Sequence, residues 1–210
     1  MALKSFDELI TRLKGKRKCT VALVEAHDEH ALEAVIQAKD IVSSILVGTR
    51  EKIEAELLVL GENPKEYEIV EVPEGMNPVV CAAGLIHEGR ADFLMKGKMM
   101  TGDLLKGVLS PEANLRTGAL MSHVMMVELP GYHKLMCLTD GGMCTYPNLE
   151  QKKHIVENAV RFFHGLGYER PNVAALCAVE TVNPKMPETV DAAALKEMSL
   201  SGELPSCYVE

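Results

Sequence analysis

Two lysines flank a glycine at Lys96-Gly97-Lys98, directly after a short apolar run of Phe93, Leu94 and Met95. A polar turn carrying Thr101 and Asp103 then opens an apolar-periodic segment at Leu104, Leu105 and Val108. Strand, Gly/Lys loop and helix start, in that order, bring two ammonium groups, backbone N–H groups and a helix N-terminus toward one point. Such a point attracts phosphate or another anion. Arg116, followed by Thr117 and Gly118, adds a forked guanidinium suited to bidentate phosphate contacts. The stretch lacks the GxxxxGK[ST] pattern of a phosphate loop. Spacing alone therefore leaves open an ordinary solvated Lys-Gly-Lys turn.

Further along, Ser122 and His123 adjoin. Neighbours on a strand point to opposite faces, so a nucleophile–base pair is not expected and a structural or ligand-contact role is. Asp140, in Thr-Asp-Gly-Gly-Met at a strand end, could orient a ligand hydroxyl or act as a base; it could equally cap the turn that follows. Asn183 and Lys185 lie in a proline-rich loop after an apolar run, where contact with a ligand phosphate competes with pairing of Lys185 to Glu180 or Glu188. Cys144 ends a glycine-rich turn and reads as a small filler residue, because no histidine stands at a defined position to activate it. His27, His30, His87, His154 and His164 fall in or beside helices without metal-ligand spacing, so no metal site is expected.

The elements that must carry these residues alternate. Cys19–Val24 reads as a strand buried on both faces, and Ser44–Val47, the alternating run Tyr67–Val72 and Ala91–Met95 read as three more strands. Between them Asp28, Thr49 and Asn77-Pro78 open helices whose apolar residues recur one turn apart. This is the pattern of an α/β fold with a mostly parallel sheet, and ligands of such folds sit beyond the C-terminal strand ends. Lys96–Lys98 occupies that position. Ser5 to Glu8 has capping-box spacing ahead of a first short helix. After His123 the rhythm changes: a β-hairpin turning at Pro130-Gly131-Tyr132, a long helix capped by Asn148, a buried strand over Val173–Val179, an alanine-rich helix from Thr189 and a last strand from Ser206.

Composition narrows the class. A 210-residue chain with 47% apolar and 25% charged residues has an ordinary globular balance. Its net charge of −8 argues against a nucleic-acid partner while permitting a local basic cluster for a phosphorylated small ligand. No run is long enough to span a membrane. The six scattered cysteines lack CxxC spacing, which fits a reducing compartment; a cytoplasmic location is expected.

The motifs LMKGK–TGDLLKGVL, LRTGALMSHV, PGYHKLMCLTDGGM–YPNLEQKKHIVENAV and AVETVNPKMPETVDAAAL resemble, in order and spacing, the phosphate acetyl/butyryltransferase family, on its butyryltransferase branch. The similarity runs from about Val21 onward. It implies transfer of a short acyl group, butyryl or branched, between coenzyme A and inorganic phosphate to give an acyl phosphate, with no metal or organic cofactor. It also implies two α/β domains around a cleft, similar to isocitrate and isopropylmalate dehydrogenases. Their expected extents are 1–122 and 123–210, with the boundary near Met121–Leu129. Lys96, Gly97, Lys98, Thr101, Arg116, Thr117 and Gly118 become candidates to hold phosphate, with Ser122, His123, Asn183 and Lys185 as further substrate contacts and Asp140 as the candidate catalytic residue.

Cys144 stands where the family often has asparagine, which puts one polar contact in question. The family pattern also continues past the strand that begins at Ser206, through elements that complete the first domain and carry a Ser-Arg pair and an acidic residue assigned to thiolate formation. The expectation is therefore a fold incomplete at its C-terminus, with weakened activity and exposed apolar surface that a homodimer interface would partly cover. The competing readings are an NAD(P)-dependent dehydrogenase of the same fold and a non-catalytic subunit binding coenzyme A or phosphate. Against the former, no strand is followed by GxGxxG.

Overall fold

A computed structural model describes residues 3–204 and 206–210. Its contacts divide the chain into two compact units, Ile10–Gly118 on one side and residues 3–9 with Ala119–Glu210 on the other. The first unit holds four strands, β1 (Cys19–Val24), β2 (Val42–Gly48), β3 (Glu68–Glu71) and β4 (Phe93–Lys96), all parallel in the order β3-β2-β1-β4. Helices α2 (Glu29–Gln37) and α3 (Arg50–Val59) link the strands running outward from β1 to β3. Helix α4 (Pro78–His87) carries the chain back to the far side of β1.

Right-handed crossovers put helices on one face while the strands progress one way and on the opposite face when the direction reverses. The core follows that rule. Val21, Leu23 and Leu46 pack with Leu32, Val35, Ile53 and Leu57 of α2 and α3. Ala22, Val24, Ile45 and Val47 pack with Val79, Ala82 and Leu85 of α4. Alternate residues of β1 therefore enter opposite cores, and the four from Val21 to Val24 are at most 1% exposed. β4 lies at the sheet edge, and Phe93 is 44% exposed there.

Local chemistry sets most element starts. Asp28 Oδ1 accepts the Ala31 N–H at 3.0 Å, and Asn77 Oδ1 accepts that of Val79 at 2.8 Å with Pro78 in the first helical turn. Thr49 precedes α3 as expected, but its hydroxyl caps nothing; the Glu71 carboxylate at the end of β3 takes the Arg50 N–H at 2.7 Å. A charged acceptor delivered by the neighbouring strand displaces a neutral local one. Helix α5 (Thr101–Val108) follows β4 and packs on α4.

Helix α1 (Phe6–Leu13) begins in the second unit and ends in the first; it starts with Ser5 Oγ accepting the Glu8 N–H at 3.2 Å, but Glu8 reaches back to the Lys4 N–H, so the reciprocal box is shifted by one residue. The rest of the second unit follows Gly118. β5 (Val124–Val127) and β6 (Met136–Thr139) form the expected antiparallel hairpin. Helix α6 (Leu149–Gly165) opens with a complete capping box between Asn148 and Gln151. α7 (Pro187–Ser201) begins two residues before Thr189.

The strand expected over Val173–Val179 is confined to β7 (Asn172–Val173), parallel to β8 (Tyr208–Val209). The ladder ends where Ala175 N–H meets the Glu210 carbonyl at 2.8 Å. Beyond it Leu176 is 85% exposed, because apolar residues without a ladder partner do not make a strand. Among the described residues no helix is long and apolar enough to cross a membrane.

Candidate functional site

The strand order reverses between β1 and β4, and in open parallel sheets the crevice for ligands lies at that switch point, outside the C-terminal strand ends. Lys96, Gly97 and Lys98 sit there. Their backbone is not the open cradle the sequence suggested. Gly97 N–H bonds to the Val24 carbonyl and Lys98 N–H to that of Glu25, each at 2.8 Å, so both donors prolong the pairing of β4 with β1. The Lys96 ammonium curls onto its own loop, 3.1 Å from the Met99 carbonyl oxygen and 3.3 Å from that of Gly97.

Three features remain for an anion. The Lys98 side chain is exposed and has no hydrogen bond or ion pair among the described residues. The N–H groups of Met100, Thr101 and Gly102, at the start of α5, are likewise unpaired there, since the first intrahelical acceptor, the Met100 carbonyl, serves Asp103 and Leu104.

After α5 the chain is anchored back onto α4. Ala113 is fully buried and its carbonyl meets His87 Nε2 at 2.9 Å. Arg116 follows three residues later, exposed and unpaired among the described residues, with Gly118 at φ 84° beyond it. Thr117, between them, is exposed. Lysine before α5 and arginine after it are two kinds of cation, but no direct contact joins Arg116 to Lys96 or Lys98 among the described residues.

In the second unit Ser122 Oγ accepts from Asn158 Nδ2 at 2.9 Å, and that amide also holds the Leu120 carbonyl. The serine hydroxyl is tied to α6 and not to His123. The His123 carbonyl takes the Asp140 N–H at 3.1 Å and the Thr139 hydroxyl at 2.9 Å, which extends the β5–β6 hairpin by one step.

Asp140 is bound by its own turn. Its Oδ1 accepts the N–H groups of Met143 at 2.7 Å, Cys144 at 3.1 Å and Gly142 at 3.4 Å, while Oδ2 is buried without a hydrogen bond. Burial pushes this carboxyl up, but hydrogen bonds from Cys144, Met143 and Gly142 outweigh it and hold the carboxyl below its ordinary value. The partner effect appears on Cys144, whose thiol is pushed up by burial and by the Asp140 charge. A thiol in that state is a poor nucleophile, and it is tied into this turn instead of filling space inertly.

Asn183 Oδ1 accepts the Lys185 N–H at 3.0 Å, and the Asn183 N–H and carbonyl both meet the buried Thr189 hydroxyl. Lys185 is exposed and pairs with neither Glu180 nor Glu188 among the described residues. Two cavities of about 340 Å³ lie elsewhere, one lined by β7, β8 and α7 residues and one by α6 residues with Leu204, Ser206 and Cys207; neither includes a candidate residue. No group of three metal-ligating side chains occurs among the described residues.

Glu25 escaped the sequence reading, and His27 entered it only as one of five histidines without metal-ligand spacing. They stand where β1 leaves the sheet, next to the lysine loop, and the only local signal was a Glu-Ala-His between a buried run and the Asp28 cap.

Residues 65–205 match the family described as phosphate acetyl/butaryl transferase. A phosphate butyryltransferase of Clostridium acetobutylicum is 43% identical over 210 residues, covering 99% of this chain and 70% of that protein. A phosphate acetyltransferase of Thermotoga maritima is 37% identical, over 97% of this chain and 69% of the relative. Among solved structures, a branched-chain phosphotransacylase from Enterococcus faecalis superposes with a TM-score of 0.75 at 30% identity, over 91% of this chain and 67% of that one. The fold superposes on that of a solved phosphotransacylase over nearly the whole chain, and the chain belongs to the phosphate acetyl/butaryl transferase family.

Proposed function

We propose that the chain exchanges a short acyl group, butyryl or branched, between coenzyme A and inorganic phosphate, giving an acyl phosphate. The observation that carries this reading is the unengaged Lys98 ammonium beside the free N–H groups that open α5, at the switch point of the sheet, in a chain of this family. Phosphate held there by Lys98 and Arg116 presents an oxygen to the thioester carbonyl, and alignment of the two supplies much of the rate. The cations and α5 amides also suit the negative charge that develops on the reacting oxygens.

Gly97 and Lys96 shape the loop, and Thr101 and Thr117-Gly118 flank the anion. Asn183, Lys185, Ser122 and His123 are proposed as contacts for the coenzyme. Asp140 is proposed as the catalytic residue, a carboxylate that orients a ligand hydroxyl or acts as a base.

The same proposal includes a two-domain organisation similar to isocitrate and isopropylmalate dehydrogenases, with domains at 1–122 and 123–210; the break in contacts after Gly118 supports a boundary in that region. A homodimer, a cytoplasmic location and the absence of any cofactor beyond the two substrates complete it. The test is release of free thiol from butyryl-CoA. It is expected only with phosphate present, without NAD and undiminished by chelation. Thiol release that needs added metal, or hydride transfer to NAD, overturns the reading.

A further inference from the structure

From Leu120 to His123 the chain runs without helix or strand, yet each of these four residues is tied to the second unit. The His123 carbonyl takes the Asp140 N–H and the Thr139 hydroxyl, and Cys144 Sγ lies 3.7 Å from the Met121 carbonyl oxygen. The other two ties come from a single side chain. Asn158 Nδ2 stands 2.9 Å from the Leu120 carbonyl oxygen and 2.9 Å from Ser122 Oγ.

The mount of that side chain is firm. Asn158 sits part-buried on α6, between Val156 and Val160, which pack with Leu195, Leu204 and Val209. Its two partners lie 38 and 36 positions earlier in the chain, so no local spacing announces the contact.

The chemistry of the junction fixes the direction of each proton. A backbone carbonyl can only accept, so the group facing Leu120 is the NH₂ of the amide and not its oxygen. The same nitrogen faces Ser122, and it offers no acceptor there. Ser122 Oγ is therefore an acceptor in this contact, and its own hydrogen is left to be donated elsewhere. That hydrogen has no acceptor among the described residues, and Ser122 is only part-buried, so a ligand can reach it. A serine hydroxyl ordinarily rotates between donor and acceptor roles; this one is held as a donor.

Resting on the acyl-transfer reading above, we propose that Asn158 is a positioning residue that holds Ser122 as a hydrogen-bond donor to an oxygen of coenzyme A. One amide hydrogen stays on the Leu120 carbonyl and keeps the segment in place. The other meets Ser122 Oγ, and that bond strengthens when the hydroxyl donates to the ligand, because chained hydrogen bonds polarise one another.

The experiment combines steady-state kinetics with calorimetric binding of butyryl-CoA to the 210-residue chain. Ser122→Ala raises both KM and Kd for butyryl-CoA about 3- to 10-fold, the range of one hydrogen bond, and leaves the phosphate KM unchanged. Asn158→Asp keeps the shape but replaces the donor by an acceptor, which turns the serine hydrogen onto itself and produces the same rise. In the double variant the two losses do not add, because Asn158 acts through Ser122; a merely structural asparagine would add a loss of its own. A further measurement needs no variant and holds whatever Asn158→Asp does to stability. In NMR spectra of the unaltered chain, one Asn158 side-chain amide hydrogen moves downfield as butyryl-CoA is added, while the other, on the Leu120 carbonyl, stays. Additive losses, an unchanged KM and Kd in Asn158→Asp, or an amide pair that butyryl-CoA leaves in place overturns the proposal. An unaltered chain that shows the shift and the Ser122-dependent affinity but releases no thiol overturns the acyl-transfer reading and leaves the donor assignment standing.

Discussion

The α-carbon of Gly97 lies so close to the carbonyl of Glu25 that a β-carbon added there would stand 2.2 Å from the oxygen and 2.7 Å from that of Val24. Both obstacles are backbone, so no rotamer change relieves them. Gly97→Ala is therefore expected to destabilise the first unit by at least the ~1–3 kcal/mol typical of overpacking. It should also force the lysine loop off β1. A denaturant midpoint equal to that of the unaltered chain would show that the two strands separate easily at this end.

Gly107 plays a different part. Its missing β-carbon would fall 2.6 Å from Cβ of Val79, so α5 and α4 approach closely only because this position is bare. Gly107→Ala should cost about 1–3 kcal/mol by overpacking, although alanine is the better helix former. Removing the valine methyls as well should recover part of that loss. A double-mutant cycle on Gly107→Ala and Val79→Ala measures the coupling, and strict additivity would separate the two residues.

The two lysines should behave differently. Lys98→Ala is expected to raise the phosphate KM with little change in melting temperature, since the ammonium holds nothing in the free protein. Lys96→Ala should lower the melting temperature first, because its ammonium bonds the Gly97 and Met99 carbonyls. Arg116→Lys should weaken phosphate use by about 1.5–3 kcal/mol, the range for a charge-assisted contact whose fork an ammonium cannot reproduce. Steady-state kinetics across a phosphate series checks all three. Equal KM values for Arg116→Lys and the unaltered chain would return Arg116 to the solvent.

Asp140 and Cys144 make a linked pair of expectations. The Asp140 carboxyl is held below its ordinary value, so its contribution to stability is complete above the pH at which it titrates in the unfolded chain. That contribution is lost as pH falls through the lower, folded value. Asp140→Asn should cost on the order of 1 kcal/mol at neutral pH, and the gap to the unaltered chain should close as the medium is acidified below the usual carboxylate range. Removing the charge also removes one cause of the raised Cys144 thiol, so alkylation of Cys144 should speed up in the variant. Urea midpoints across pH and mass-resolved alkylation rates read the two effects. A gap that widens in acid would contradict the assignment.

What the sequence could determine alone is whatever is settled by neighbours in the chain. Asp28, Asn77 and Asn148 were legible as caps because a short polar side chain can reach only the next helical N–H groups. The buried strand at Cys19–Val24, the hairpin around Pro130-Gly131 and the family motifs were legible for the same local reason. Other features depended on which strands lie side by side, and no spacing encodes that. The order β3-β2-β1-β4 put the switch point between β1 and β4 and brought Glu71 to the start of α3 in place of the Thr49 hydroxyl. It also committed the Gly97 and Lys98 N–H groups, read from sequence as donors to an anion, to the carbonyls of Val24 and Glu25. Val173–Val179 looked like a strand because apolar content is local, but a ladder needs a partner, and only Asn172 and Val173 are paired in one. The constraint on Glu25 was invisible for the same reason. Its left-handed backbone is held between two neighbouring strands, and that constraint exists only once the sheet has formed.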